Sequence, residues 1–232
     1  MADLNRPRAG AEPAGMSDST MNDEARLSAV ADKVEIVEVA MRSHVCRDTG
    51  DWDGLKACFH ADARITVSWF SGNAHEFIEG SRNMMGGHHP GDSQKHFAGN
   101  PRVALNGGRA VCEYYLTLHQ RRWLDGYEFD FQTWSSVVDL FVRREGAWRV
   151  LERTMVYEKD RMDPHKPGEV PESYFAGMDL SPYPKALRYH CWRNEKSSGS
   201  PPSKDIVIEG TEAARATREA VQTWLAGGGA VS

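Results

Sequence analysis

The chain has 232 residues, 40% of them hydrophobic, with 28 basic against 33 acidic residues and a net charge of −5. That composition supports one sizeable core, and the basic residues form no block of the kind a nucleic-acid or anionic-membrane surface requires. No apolar run approaches the roughly 18 residues of a membrane helix, and the N-terminus has no apolar signal core, so a cytoplasmic protein is expected.

Residues 1–24 are rich in Ala, Gly, Pro, Asp and Ser and read as a disordered tail, within which Met16 and Met21 are alternative starts. A helix is expected over 25–47, with Val30, Val34, Val37, Met41 and Val45 as its buried stripe. Asp48-Thr49-Gly50 ends it, and Asp51 caps a short helix carrying Trp52, Leu55 and Phe59. A strand is expected over 63–70, with Ile65, Val67 and Trp69 on one face, then a helix over 76–85 and a Gly/His-rich loop over 86–92. Strand-like runs come next at 94–101, 102–105, 110–122, 127–144 and 147–159. The turns Asn106-Gly107-Gly108, Asp125-Gly126 and Glu145-Gly146 separate the long ones as hairpin turns should. Helices followed by an antiparallel run make an α+β domain over 25–160. Beyond Asp160, prolines punctuate the chain, and 161–232 reads as an extension wrapped on that domain, with one short helix over 211–225.

Cys46, Cys58, Cys112 and Cys191 are far apart, fit no metal spacing and read as reduced, buried thiols. His88-His89 with Asp92 does not have zinc spacing, because adjacent loop residues rarely converge on one ion. No metal or other cofactor is expected. Phosphate loops, nucleophile elbows and Cys-His pairs are absent from the sequence.

Four segments carry a family resemblance. They are Asp48-Thr49-Gly50-Asp51-Trp52-Asp53 leading to Phe59-His60-Ala61-Asp62-Ala63, then Lys95–Asn100, His119–Arg122 and Arg144–Val150. In this order they resemble the SnoaL-like, scytalone dehydratase-like branch of the nuclear transport factor 2 superfamily, over about residues 28–157. The turn Leu187–His190 and the end Trp224–Gly227 are similar to C-terminal extensions of some bacterial SnoaL-like proteins. The resemblance implies a cone-shaped, curved antiparallel sheet with N-terminal helices enclosing one pocket.

It also implies a site. Asp48, His96 and His119 match the aspartate and two histidines of scytalone dehydratase, with His96 as proton shuttle and Asp48 paired to His119. A histidine suits this work because it exchanges a proton near neutrality, and a carboxylate behind it fixes its tautomer. Asp48 also fits the plain role of a helix-end turn residue, and His44, one helical turn earlier, is a second candidate. Where scytalone dehydratase has two tyrosines, Arg47 and Val67 stand here. Trp69, Phe70, Tyr115 and Trp134 are expected to wall the pocket, with Tyr115, Thr117 and His119 on its face of their strand. Cys112, Tyr114, Leu116 and Leu118 then face outward and call for cover, so a homo-oligomer, dimer or trimer, is expected.

The function implied is a cofactor-independent lyase acting on a small aromatic or polycyclic alcohol. The reaction is dehydration, or elimination of formaldehyde from lignin-derived diaryl diols. The fold equally serves as a non-catalytic binding module, as the small subunit of ring-hydroxylating dioxygenases, and as polyketide cyclases and isomerases.

Overall fold

The computed structural model of the protein describes residues 22–86 and 89–228. Residues 1–21 of the expected tail and His88 of the expected loop lie outside the described residues.

Helix α1 runs Asp23–Thr49. The Asn22 side chain caps its start by accepting from the Ala25 N–H. Gly50 ends it in the left-handed region at φ 73°, and its N–H bonds the Cys46 carbonyl. The buried stripe of α1 differs from the expected one. Ile36, Val39, Ala40, Ser43, His44 and Cys46 face inward, whereas Val30, Val34 and Val45 are exposed. The inward face has to carry polar side chains into the interior, so counting valines alone selects the wrong side of the cylinder.

The short helix α2, Trp52–Ala57, is capped by Asp51 as expected. Strand β1, Phe59–Val67, starts earlier than expected and turns at Ser68 and Trp69 into β2, Phe70–Asn73. Helix α3 spans Ala74–Gly86. Three long strands then form a meander with β3, Ser93–Asn106: β4, Arg109–Leu124; β5, Tyr127–Arg144; and β6, Ala147–Pro164. β3 is one strand where two were expected. Asn100, at φ 55°, and Pro101 form a bulge between the paired Gly99 and Arg102, and a proline without an N–H is tolerated there. The hairpins β4–β5 and β5–β6 turn on Asp125-Gly126 and Glu145-Gly146, all four at positive φ, matching strand twist.

The sheet order is β2-β1-β6-β5-β4-β3, with β1 parallel to β6 and the other neighbours antiparallel. It curls around α1, α2 and α3, giving the expected α+β cup. The core between helices and sheet is built on Ile36, Leu55, Ile65, Leu116, Phe141 and Trp148. Among the described residues, no helix is long and apolar enough to cross a membrane.

The C-terminal segment holds more structure than its prolines suggest. It contains α4, Glu172–Ala176; a 3₁₀ turn, Lys185–Leu187; α5, Arg188–Ser198; β7, Val207–Ile208, parallel to β6; and α6, Glu212–Leu225. Leu187 and Cys191 pack on Tyr157 of β6. Helix α6 lies on the outer face of the sheet, where Val221 and Trp224 cover Val111, Val138 and Leu140. Arg109 donates to the Trp224 carbonyl at 2.8 Å and stacks over its ring.

Trp224 is buried and anchors α6, so Trp224→Ala should cost about 3 kcal/mol or more of stability. Urea unfolding monitored by circular dichroism checks this. A loss under about 0.5 kcal/mol, the size of an ordinary surface substitution, would mean α6 is not part of the cooperative fold.

Candidate active site

Helical spacing places His44, Arg47 and Asp48 on neighbouring positions of α1, one turn apart. The facing strand, β3, supplies His96. Asp48 accepts twice from that residue: Oδ1 from the ring Nδ1 at 2.6 Å and Oδ2 from the backbone N–H at 2.6 Å. Both side chains are nearly solvent-free. Because a carboxylate only accepts, the neutral imidazole carries its proton on Nδ1 and its lone pair on Nε2. Arg47 Nη1 donates to that lone pair at 3.0 Å, and Arg47 Nε donates to Ser81 Oγ.

The surroundings set the charge states. Burial pushes His96 below its usual 6.5 despite the Asp48 bond, and Arg47 adds to the push. Burial works to raise Asp48, but the bonds from His96 outweigh it and hold the carboxyl below its usual value. The pair is therefore a carboxylate behind a neutral imidazole.

A second network lies beside it. The His44 ring stacks on His96, centroids 5.4 Å apart. His44 Nε2 is 2.8 Å from the Tyr114 hydroxyl, which donates to Asp139 Oδ2 at 3.0 Å. Tyr114 has one proton to give, so His44 donates from Nε2 and keeps its lone pair on Nδ1. Asp139 also takes a two-pronged bond from Arg153, at 2.7 and 2.6 Å, in the centre of β5 and β6. Burial, with Arg153 nearby, depresses His44 far below its usual value.

The C-terminal segment closes the site. Helix α5 brings in His190, whose Nε2 meets Ser68 Oγ at 2.7 Å and whose Nδ1 meets Thr133 Oγ1 at 2.9 Å. Its backbone N–H donates to Asp160, whose carboxyl burial pushes up to about 6. From the same helix, Arg193 donates to Gln120 Oε1 and Asn194 Oδ1. Burial lowers the Arg193 pKa to about 9, and Arg122 and Arg47 add to the shift.

His44, Arg47, His96, Arg153, His190 and Arg193 line one pocket, with Trp69, Phe77, Met84, Val67 and Met155 as its apolar wall. Its free volume is about 50 Å³. A ring-sized cavity needs on the order of 150 Å³. An aromatic ligand therefore enters only as side chains move, and the long unbranched Met84, Met155, Arg47 and Arg193 are the ones suited to do so. Among the described residues, no group of three or more His, Cys, Asp or Glu is placed to hold a metal ion.

Of the residues expected at the site, Asp48, His96, Arg47, Val67 and Trp69 come together. Phe70 is one layer back, 5.7 Å from Trp69 and 6.0 Å from Phe77. The expected pairing of Asp48 with His119 does not form. His119 is exposed on the outer face, where its Nδ1 meets Gln132. Tyr115 is likewise outside, 62% exposed, and Trp134 lies outside under the Lys159 ammonium. The alternation of β4 is real, but its faces are reversed. Cys112, Tyr114, Leu116 and Leu118 point into the cup, so they supply no reason for self-association. The apolar members of the alternation marked the inward face all along. His44 was legible from its one-turn spacing to Asp48, whereas Tyr114, Asp139, Arg153, His190 and Arg193 carried no local signal.

Comparison with known proteins agrees with this architecture. A family model described as a SnoaL-like domain matches residues 28–154. Pea pathogenicity protein 2 of Fusarium vanettenii is 26% identical over 175 residues, 74% of this chain and 73% of that protein. A match of that length must pass residue 154, so it includes part of the C-terminal segment. Two solved structures share the fold. One is a protein assigned as a scytalone dehydratase from Novosphingobium aromaticivorans (TM-score 0.52, 12% identity, 63% of this chain and 99% of that one). The other is the hexachlorocyclohexane dehydrochlorinase LinA-type3 of Novosphingobium barchaimii (TM-score 0.52, 16% identity, 63% and 99%).

Two stability predictions arise from this arrangement. Asp139→Asn leaves Arg153 buried without its carboxylate and should cost about 3–5 kcal/mol, read by urea unfolding. The second concerns pH. His44, His96 and His190 are all depressed below 6.5 by burial, so the unfolded chain binds more protons than the folded one below that pH. Their contribution is complete above 6.5 and declines as pH falls; Asp160, raised to about 6, opposes it more weakly. The thermal midpoint should therefore drop between pH 7.5 and 5.5, and an unchanged midpoint would mean these imidazoles are not held neutral.

Proposed function

The chain belongs to the SnoaL-like domain family, and from that membership and the site geometry we propose a cofactor-independent lyase that uses general acid/base catalysis on a hydroxylated aromatic or polycyclic substrate. The observation that carries this reading is His96, whose ring Nδ1–H and backbone N–H both donate to Asp48, leaving Nε2 on the pocket side, where Arg47 donates to it. A neutral imidazole with a fixed tautomer is a competent base near neutrality.

In the proposed reaction, Nε2 of His96 takes a proton from the carbon next to the one bearing the hydroxyl. The C–H electron pair forms the new double bond, and the C–O bond breaks. Asp48 stabilises the imidazolium that results, as a carboxylate behind a catalytic histidine does. That imidazolium then gives its proton to the departing hydroxyl, which leaves as water, and the imidazole is restored. One histidine can serve both steps when the two groups leave from the same face.

For this to happen, Arg47 must first move off Nε2, since its N–H occupies the lone pair in the free protein. His44, stacked on His96 and tied through Tyr114 to Asp139, holds the ring from behind. Trp69 and Phe77, stacked with centroids 5.3 Å apart, offer a flat surface to an aromatic substrate. The same base, taking a hydroxyl proton instead, would break a C–C bond: the O–H pair becomes the C=O of the released aldehyde, the C–C pair forms the new double bond, and the second hydroxyl leaves as water with the proton from His96. That is the variant expected for diaryl diols.

The fold is shared with a protein assigned as a dehydratase and with a dehydrochlorinase, and their names support elimination as the class of chemistry. His119 has no part in the proposed mechanism.

A screen of hydroxylated aromatics for elimination tests the reading. With a substrate in hand, His96→Ala should lower kcat/KM by about 10²–10⁴-fold, while His119→Ala leaves it near wild type. The rate should rise with pH through an apparent pKa below 6.5 and stay level above it, since the base works only when neutral. Full turnover by His96→Ala, or isolation only as a stable hetero-oligomer with an iron–sulfur subunit, would overturn the assignment.

A further inference from the structure

We infer that the pocket takes a carboxylate, held between Arg47 and Arg193, and that the substrate of the proposed lyase is therefore a hydroxylated aromatic acid. The site's use as an anion site stands on its own observations; only the identity of that anion as a substrate rests on the lyase reading.

The observation is an imbalance of buried charge. The chain carries a net charge of −5, yet three arginines line the pocket. One of them, Arg153, is matched by Asp139 through both prongs of its fork. The other two are not matched in this way. Arg47 hydrogen-bonds to Ser81 and His96, both neutral, and leans on the Phe77 ring. Asp48 attracts it, but both oxygens of that carboxylate accept from His96. Arg193 bonds to Gln120, Asn194 and His190, all neutral, and its buried Nε has no hydrogen-bond partner among the described residues. It is 3% exposed. Asp160 attracts it, but that carboxyl accepts the His190 N–H and is pushed toward protonation by burial.

A buried guanidinium with no carboxylate hydrogen-bonded to its fork is expensive to keep. Burial depresses both arginines, helped by Arg153 at Arg47 and by Arg122 and Arg47 at Arg193, which falls to about 9. An anion entering between them relieves that cost. A carboxylate matches the planar, two-pronged donor pattern of each fork. The aromatic wall of Trp69 and Phe77 adjoins these cations, so the fitting ligand joins a carboxylate to a ring.

The same binding event has a catalytic consequence. Arg47 is the group that occupies the lone pair of His96 Nε2. A carboxylate that draws its fork away frees the base at the moment the substrate arrives.

The test measures binding without turnover. Calorimetric titrations of the full chain compare 2-naphthoate with the neutral 2-naphthalenemethanol. The expected result is that naphthoate binds at least tenfold tighter. Arg47→Gln and Arg193→Gln should each weaken naphthoate at least tenfold while leaving the alcohol unchanged. Arg193→Lys, which keeps the charge but loses the fork, should fall between, and thermal melts establish that each variant is folded. Equal binding of acid and alcohol, or naphthoate binding insensitive to both arginines, would overturn the inference. Naphthoate held by the arginines with no hydroxylated aromatic acid eliminated would leave the anion site standing and remove the lyase reading. Turnover of a neutral alcohol without naphthoate binding would do the reverse.

Discussion

The ion pair of Asp139 with Arg153 sits at the middle of β5 and β6, with no exposure of the aspartate, and much of the polar interior is arranged around it. Burying two charges is costly, and the cost is offset here because every strong contact is made. Arg153 supplies two prongs and Tyr114 supplies the third bond to the same carboxylate. Burial alone would discourage the Arg153 charge, but Asp139 and Tyr114 reverse that and hold it firmly protonated. Tyr114 in turn fixes the tautomer of His44, and His44 lies flat against His96. A chain of directional contacts thus runs from the centre of the sheet to the imidazole on β3.

Asp48 completes the hold from the other side. A carboxylate bonded to both the backbone and the ring of one residue leaves that ring little freedom to turn. Orientation is therefore set by Asp48 and His44, while Arg47, the partner of Nε2, lines the pocket. This division suits a site in which the base is fixed and its cover is movable.

The C-terminal segment has a double task. Its α6 lies on the outer face of the sheet, sealing Val111, Val138 and Leu140 from water. Its α5 shuts the cup and delivers His190 and Arg193 into the pocket. The extension therefore contributes part of the pocket wall as well as stability, and the pocket of the described chain is a joint product of the family domain and the C-terminal segment.

Local chemistry in the sequence determined much of this protein. Asn22, Asp51 and Gly50 set helix ends through their own side chains or φ angle, and Asp125-Gly126 and Glu145-Gly146 set the hairpins. The order of elements gave the α+β cup; the resemblance named Asp48 and His96 for one site but paired Asp48 with His119, and only the folded chain bonds Asp48 to His96. Which face of an element turns inward was decided only by the tertiary structure. Periods of 3.6 and 2 divide α1 and β4 into faces without saying which face meets the sheet or the cup. On α1 the inward face carried Ser43 and His44, and on β4 the apolar face was inside, which put His119 and Tyr115 in solvent. The partners of Asp139, Arg153, His190 and Arg193 are residues distant in sequence, brought close by strand register and by α5 folding back. Hydrogen bonds and ion pairs depend on separation in space, and only the folded chain sets that separation.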